Sequence, residues 1–184
     1  MIIGVTGFSG AGKSTVAKKI AQYMPYSSHV KVDELFYEAL EYEKDAILGL
    51  YGSSVVINGR FNKETIVKDK SKKIIIDRLI YPRIARSVLD VISKTPNAII
   101  DWLLLPHIEE AWEQCERKIL VLSDEKLRKF RLQKRRGVLI DDEFAGRNSL
   151  INFDNYTYTN MIWNNDDLAT LEEQILEGIV NSPC

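Results

Sequence analysis

The chain has 184 residues, with 25 Lys plus Arg against 26 Asp plus Glu, and a formal net charge of −1. Hydrophobic residues at 45% and charged residues at 28% exclude wholesale disorder and collagen-like or coiled-coil chains, and the near-neutral total argues against a surface built as a whole for nucleic acid or an anionic membrane. Two unclustered cysteines, Cys115 and Cys184, exclude a disulfide scaffold and a cysteine-based metal site, and they fit a reducing compartment.

In chain order, Met1–Thr6 is an apolar run that reads as a buried strand. Ser14–Met24 follows with Val16, Ala17, Ile20, Ala21 and Met24 at helical spacing. His29–Val32 is a second strand ending at Asp33, residues 34–51 are helical, and Tyr51–Gly59 reads as a loop. Lys63–Ser93 is helical with Pro82 inside it. Proline removes a donor and clashes with the preceding turn, so two helices meeting near Tyr81-Pro82 are expected. Ala98–Leu103 and Lys118–Leu122 are the third and fourth strands, with a helix through Glu109–Cys115 between them. Residues 124–136 form a basic helix and 141–152 another short one. Asn160–Trp163 is the fifth strand, and Asp167–Val180 the last helix.

Short apolar strands alternating with helices predict an α/β fold of three layers, a five-stranded parallel sheet with helices on both faces. One domain over 1–184 is expected, with a helical acceptor-side region at 60–95 and a helical lid at 124–152. No run of roughly 20 apolar residues predicts a membrane span, and no leader is visible, so the expected location is the cytoplasm.

Gly7-Phe8-Ser9-Gly10-Ala11-Gly12-Lys13-Ser14-Thr15 satisfies G-x-x-x-x-G-K-[ST], the phosphate-binding loop. It stands between a strand and a helix, as the chemistry requires. The glycines let the backbone amides of Gly7, Gly10, Ala11 and Gly12 curl around a polyphosphate, and the helix N-terminus favours the anion. Lys13 reaches the β- and γ-phosphates, Ser14 ligates Mg²⁺, and Thr15 hydrogen-bonds a phosphate oxygen. ATP with Mg²⁺ is the implied cofactor pair. A GTPase would need N-K-x-D, which the chain lacks.

Later segments make a resemblance specific. These are Thr6–Thr15, Val32-Asp33, Gly59-Arg60-Phe61-Asn62-Lys63, Tyr81-Pro82-Arg83-Ile84, Asp101-Trp102-Leu103-Leu104-Leu105, Arg131-Leu132-Gln133-Lys134-Arg135-Arg136-Gly137 and Ile162-Trp163-Asn164-Asn165-Asp166. In that order, over nearly the whole chain, they resemble the dephospho-CoA kinase family. The resemblance implies a P-loop kinase fold and transfer from ATP to the ribose 3′-hydroxyl of dephospho-CoA. It also implies an adenine-side role for Asn165. Tyr81 stands where the family has histidine, Leu103 where it has proline, Lys63 where it has arginine, and His107 near the family's acidic residue. The Gln expected after Arg147 is absent. The departures fall mostly on the acceptor side.

Phosphoryl transfer asks for positioning and charge neutralisation. Asp33 is the candidate base or orienter for the acceptor hydroxyl, with a helix N-cap as the other use of such an aspartate. Asp101 ends an apolar run and is a candidate Mg²⁺ ligand through water, or an ordinary strand-end carboxylate. Arg128–Arg136 holds six basic residues and no acidic one. From it Arg131 is expected on ATP and Arg135 on the transferring phosphoryl group, with Arg147 joining; a solvated basic face and a nucleic-acid patch are the other uses. Arg60, Lys63, Tyr81, Arg83 and His107 are candidate acceptor contacts, with Tyr81 and Trp102 also suited to the core. The expected partner is a small molecule rather than nucleic acid, for a monomer or small homo-oligomer. Two other readings stay open: another hydroxyl kinase, since Asp33-Glu34-Leu35-Phe36-Tyr37 is faintly similar to the D-x-F-Y of uridine kinases, and a nucleotide-binding protein that has lost its acceptor site.

Overall fold

The computed structural model describes residues 1–62, 65, 66, 70–137, 144 and 148–181. The chain divides into two compact units, Met1–Lys31 with Val91–Cys184, and Val32–Asp90.

In the first unit, every residue of β1 (Ile2–Gly7) is buried, which explains why its sequence lacks two-residue alternation. Five parallel strands assemble in the order β2-β5-β1-β6-β7. The others are β2 (Ser28–Lys31), β5 (Ala98–Asp101), β6 (Arg117–Leu122) and β7 (Asn160–Trp163). Ile3 and Val5 point to one face, where they join Val16, Ala17 and Ile20 of α1 (Lys13–Tyr23) and Leu171 and Ile175 of α7 (Leu168–Ile175) in one core. Each of the Val, Ile and Leu side chains among them contributes about 1.5–3 kcal/mol through burial. Gly4 points to the opposite face. A Cβ there would stand 2.8 Å from Trp112 and 2.9 Å from Cys115 Sγ, beside the short helix α5 (Glu109–Glu113). Helices therefore cover both faces, and the expected α/β architecture is the observed one. The Cys115 thiol donates to Ala111 O at 3.2 Å, and burial pushes its pKa up to about 12.

β7 is an edge strand, and Gln174 finishes it. Its amide accepts from Trp163 N at 3.0 Å and donates to Trp163 O at 2.9 Å, standing in for a neighbouring strand. Asp167 caps α7 by accepting from Thr170 N at 2.9 Å, and a π turn, Leu176–Val180, ends the helix.

The second unit holds α2 (Val32–Tyr42), α3 (Lys44–Tyr51) and, as far as Asp90, α4 (Lys70–Lys94). The helical stretch expected over 34–51 consists of two helices, parted at Glu43. Part of the expected loop is a hairpin, β3 (Val56–Ile57) with β4 (Arg60–Phe61). Asn58 and Gly59 turn it with φ of 52° and 74°, the left-handed pair that a two-residue hairpin needs. The two helices expected to meet at Pro82 are one helix of 25 residues. Ile76 and Ile80 before the proline, and Ile84 and Val88 after it, are all at most 1% exposed. This buried stripe crosses Pro82, so a break would cost more apolar burial than the single missing hydrogen bond. Among the described residues no helix is long and apolar enough to cross a membrane. The 141–152 helix falls mostly outside the described residues.

Candidate active site

β1 delivers the chain at Gly7 into a loop that α1 closes at Lys13. Gly10 and Gly12 have φ of 82° and 100°, where L side chains are strained. Each is also held by a neighbour: a Cβ on Gly10 would lie 2.6 Å from Arg128 O, and one on Gly12 2.1 Å from Asn164 Nδ2. Gly12 caps α1 with no side-chain hydrogen bond, and its carbonyl accepts from Thr15 N at 2.9 Å; the loop thus ends on a helix N-terminus, whose dipole and first-turn amides favour phosphate. Ala11 N donates to Phe8 O at 3.1 Å, and Lys13 Nζ donates to the same carbonyl at 3.2 Å, which keeps the ammonium at the loop.

A set of long-range hydrogen bonds braces this loop. The buried Asn164 donates Nδ2 to Ala11 O at 2.7 Å. Arg131 donates to Asn164 O at 2.9 Å and to Ser123 Oγ at 3.1 Å, from α6 (Glu125–Arg136). Asn165 Oδ1 accepts from Asp124 N at 2.9 Å. Ser9 N donates to Asn148 Oδ1 at 3.2 Å. The structure thus brings Arg131 and Asn165 to the flank of the loop, where they bind protein groups. Arg135 is exposed one turn further along α6. Asn164 escaped the sequence reading, which put the weight of its segment on Asn165; the signal was the Asn pair after an apolar strand.

Asp101 is the last residue of β5 and lies opposite Val5 of β1. It is buried, on the face that carries Ile99 and α1. Its Oδ2 lies 3.6 Å from Nε2 of His29, a β2 residue that the sequence reading did not single out. A hydroxyl at Ser14 and a carboxylate at a neighbouring strand end are hard oxygen donors, so these residues fit Mg²⁺. Thr6 Oγ1 donates to Leu103 O at 2.8 Å, tying β1 to the segment after β5. Trp102 is buried. His107 is exposed, its ring centroid 6.2 Å from that of Tyr156, and partial burial lowers its pKa from the ordinary histidine value.

The remaining candidates belong to the second unit. The expected strand through Val32 stops at Lys31, and Asp33 is the second residue of α2, in a first turn that also carries Glu34. An N-terminal turn favours carboxylates through its free amides and dipole, which explains an aspartate here without a capping role. Arg83 donates Nε to Glu43 Oε1 at 2.5 Å, and its guanidinium lies 3.2 Å from the centre of the Tyr42 ring. Burial first, and Asp77 second, raise the pKa of the half-buried Tyr81 above the ordinary tyrosine value. Arg60 is exposed in β4. Lys63 and Arg147 lie outside the described residues.

The chain is 25% identical over 97% of its length to a curated dephospho-CoA kinase of Prochlorococcus marinus, covering 94% of that protein. Its fold is shared with TT1252 from Thermus thermophilus, at a TM-score of 0.75 and 23% identity, covering 98% of this chain and 96% of that one. It is shared also with a dephospho-CoA kinase from Campylobacter jejuni, at 0.61 and 15%, covering 96% and 94%. The resemblance read from the ordered motifs is thus borne out as a similarity along nearly the full chain. A family model described as an AAA domain matches residues 3–153, from the first buried strand through the phosphate loop to the turn before β7, and the chain belongs to that family.

Proposed function

We propose that the chain is a kinase that transfers the γ-phosphoryl group of ATP to the 3′-hydroxyl of the dephospho-CoA ribose. The observation that carries the acceptor is the similarity to a dephospho-CoA kinase over nearly the whole chain; the nucleotide half is supported by the uncapped N-terminus of α1 and the strained glycines before it. Residues 1–184 act as one kinase domain in this reading, with 60–95 on the acceptor side and 124–152 as the lid.

The loop amides and Lys13 hold the β- and γ-phosphates. Ser14 would hold Mg²⁺ directly and Asp101 through water, and the ion would supply neutralisation of the phosphate charge. Asp33 takes the proton of the acceptor hydroxyl as its oxygen bonds to the γ-phosphorus. The bond from that phosphorus to the bridging oxygen breaks, and ADP leaves. Arg135 stabilises charge on the transferring group from the lid. Arg60, Lys63, Tyr81, Arg83 and His107 contact the acceptor. The enzyme works in the cytoplasm as a monomer or small homo-oligomer.

A second reading, a kinase for another small alcohol such as a nucleoside, draws on Arg83, whose guanidinium is already engaged by Glu43 and Tyr42. Release of ADP from ATP and Mg²⁺ with a panel of acceptors separates the two. The first reading expects turnover with dephospho-CoA and none with uridine or cytidine; the reverse pattern supports the second.

A further inference from the structure

Arg128 sits within the basic run of α6, yet it is only 7% exposed. Its guanidinium lies 4.8 Å from the centre of the Phe8 ring and 5.0 Å from that of Phe144. Phe8 is the second residue of the phosphate loop, and its ring meets Phe153 edge-on at 4.7 Å. Arg128 Nε donates to Ser123 O at 3.1 Å, but its buried Nη1 has no partner among the described residues. The nearby Glu125 is paired with Lys129 at 3.0 Å. The backbone of Arg128 is equally close to the loop, since its carbonyl is what a Cβ on Gly10 would strike.

A guanidinium held between two rings, with one carbonyl acceptor and no hydrogen-bonded carboxylate among the described residues, is a desolvated charge with little compensation. Burial lowers its pKa from the ordinary arginine value, an effect that Glu125 opposes. Such a group burdens the unliganded fold, because an unsatisfied charged donor carries its desolvation cost in full. An anion beside it offsets that cost, and the loop beside it has the form of a polyphosphate site.

We propose that Arg128 is a positioning residue for the phosphate loop, holding Phe8 against α6 and setting a buried positive charge beside the bound polyphosphate at the expense of unliganded stability. This rests on the nucleotide half of the function proposed above. It gives this buried member of the basic run a role distinct from those of Arg131 and Arg135.

The test compares wild type, Arg128→Met and Arg128→Lys by calorimetric ADP and ATP binding and by the Tm of the unliganded protein. Methionine keeps apolar packing between the rings and removes the charge. The expected result is about a tenfold loss of ADP and ATP affinity in Arg128→Met, the size of one charge-assisted contact, with an unliganded Tm equal to or above wild type. Arg128→Lys recovers part of the affinity. Unchanged affinity in Arg128→Met overturns the proposal. So does an affinity loss accompanied by a fall in unliganded Tm, which makes Arg128 a packing residue. Wild-type protein that binds neither nucleotide overturns the nucleotide reading itself, a separate failure seen before any variant is made.

Discussion

The phosphate loop and the acceptor-side residues are built on different principles. The loop's chemistry lies in its backbone: two left-handed glycines, each pressed against a neighbour, and a helix start with no side-chain cap. The acceptor-side candidates are side chains, and Arg83, the one whose contacts are clearest, is already committed to Glu43 and Tyr42. A backbone-encoded site is tied to a fixed spacing of glycine and lysine, so it announces itself in sequence. A side-chain site can be rebuilt at several positions, so its specificity is harder to read and freer to change.

Breaking the backbone side of this contrast should have the largest effects. Lys13→Ala is expected to lower turnover on the order of 10³-fold or more, the scale of losing a preorganised charge on the phosphoryl group, with the far-UV CD spectrum unchanged. Asp33→Asn should slow transfer by roughly 10²–10⁴-fold, the range for a general base, while ADP affinity stays within twofold. A fully active Asp33→Asn variant would remove that residue from the mechanism. Gly12→Ala should cost about 1–3 kcal/mol in urea unfolding, the cost of an L side chain at such a φ. The cost should shrink in an Asn164→Ala background, because the amide that a Cβ would strike is gone. Arg83→Ala should leave the urea-unfolding midpoint little changed, as the loss of a partly exposed pair does; a raised KM for the acceptor with unchanged KM for ATP would give Arg83 a substrate role as well.

The smallest effect concerns His107. Its folded pKa is lowered by burial, so as the pH drops below the ordinary histidine value the unfolded chain takes up the proton more readily and stability is lost as the pH falls. His107→Asn should therefore narrow the gap between stabilities at pH 7 and pH 5, read by urea unfolding at both.

The α/β alternation was legible because each buried strand is an apolar run and each helix carries a period of 3.6. What local rules missed was settled by distant parts of the chain. Pro82 reads as a break until the burial of Ile76, Ile80, Ile84 and Val88 is counted. The hairpin at Asn58-Gly59 carried its own signal, but strands of two residues each are too short to show alternation. Arg128 reads as one more charge on a solvated face, and only Phe8 and Phe144, remote in sequence, reveal it as buried. The phosphate-loop residues were legible from spacing alone; Asn164 was not, because its value lies in one hydrogen bond to Ala11, 153 positions away in the chain.

The most direct test of the account is the ³¹P NMR spectrum of the product formed from ATP, Mg²⁺ and dephospho-CoA. The account predicts a new phosphomonoester signal on the ribose 3′-oxygen, growing in step with ADP. ADP formation without that signal, or no consumption of dephospho-CoA by protein that binds ATP, would contradict it.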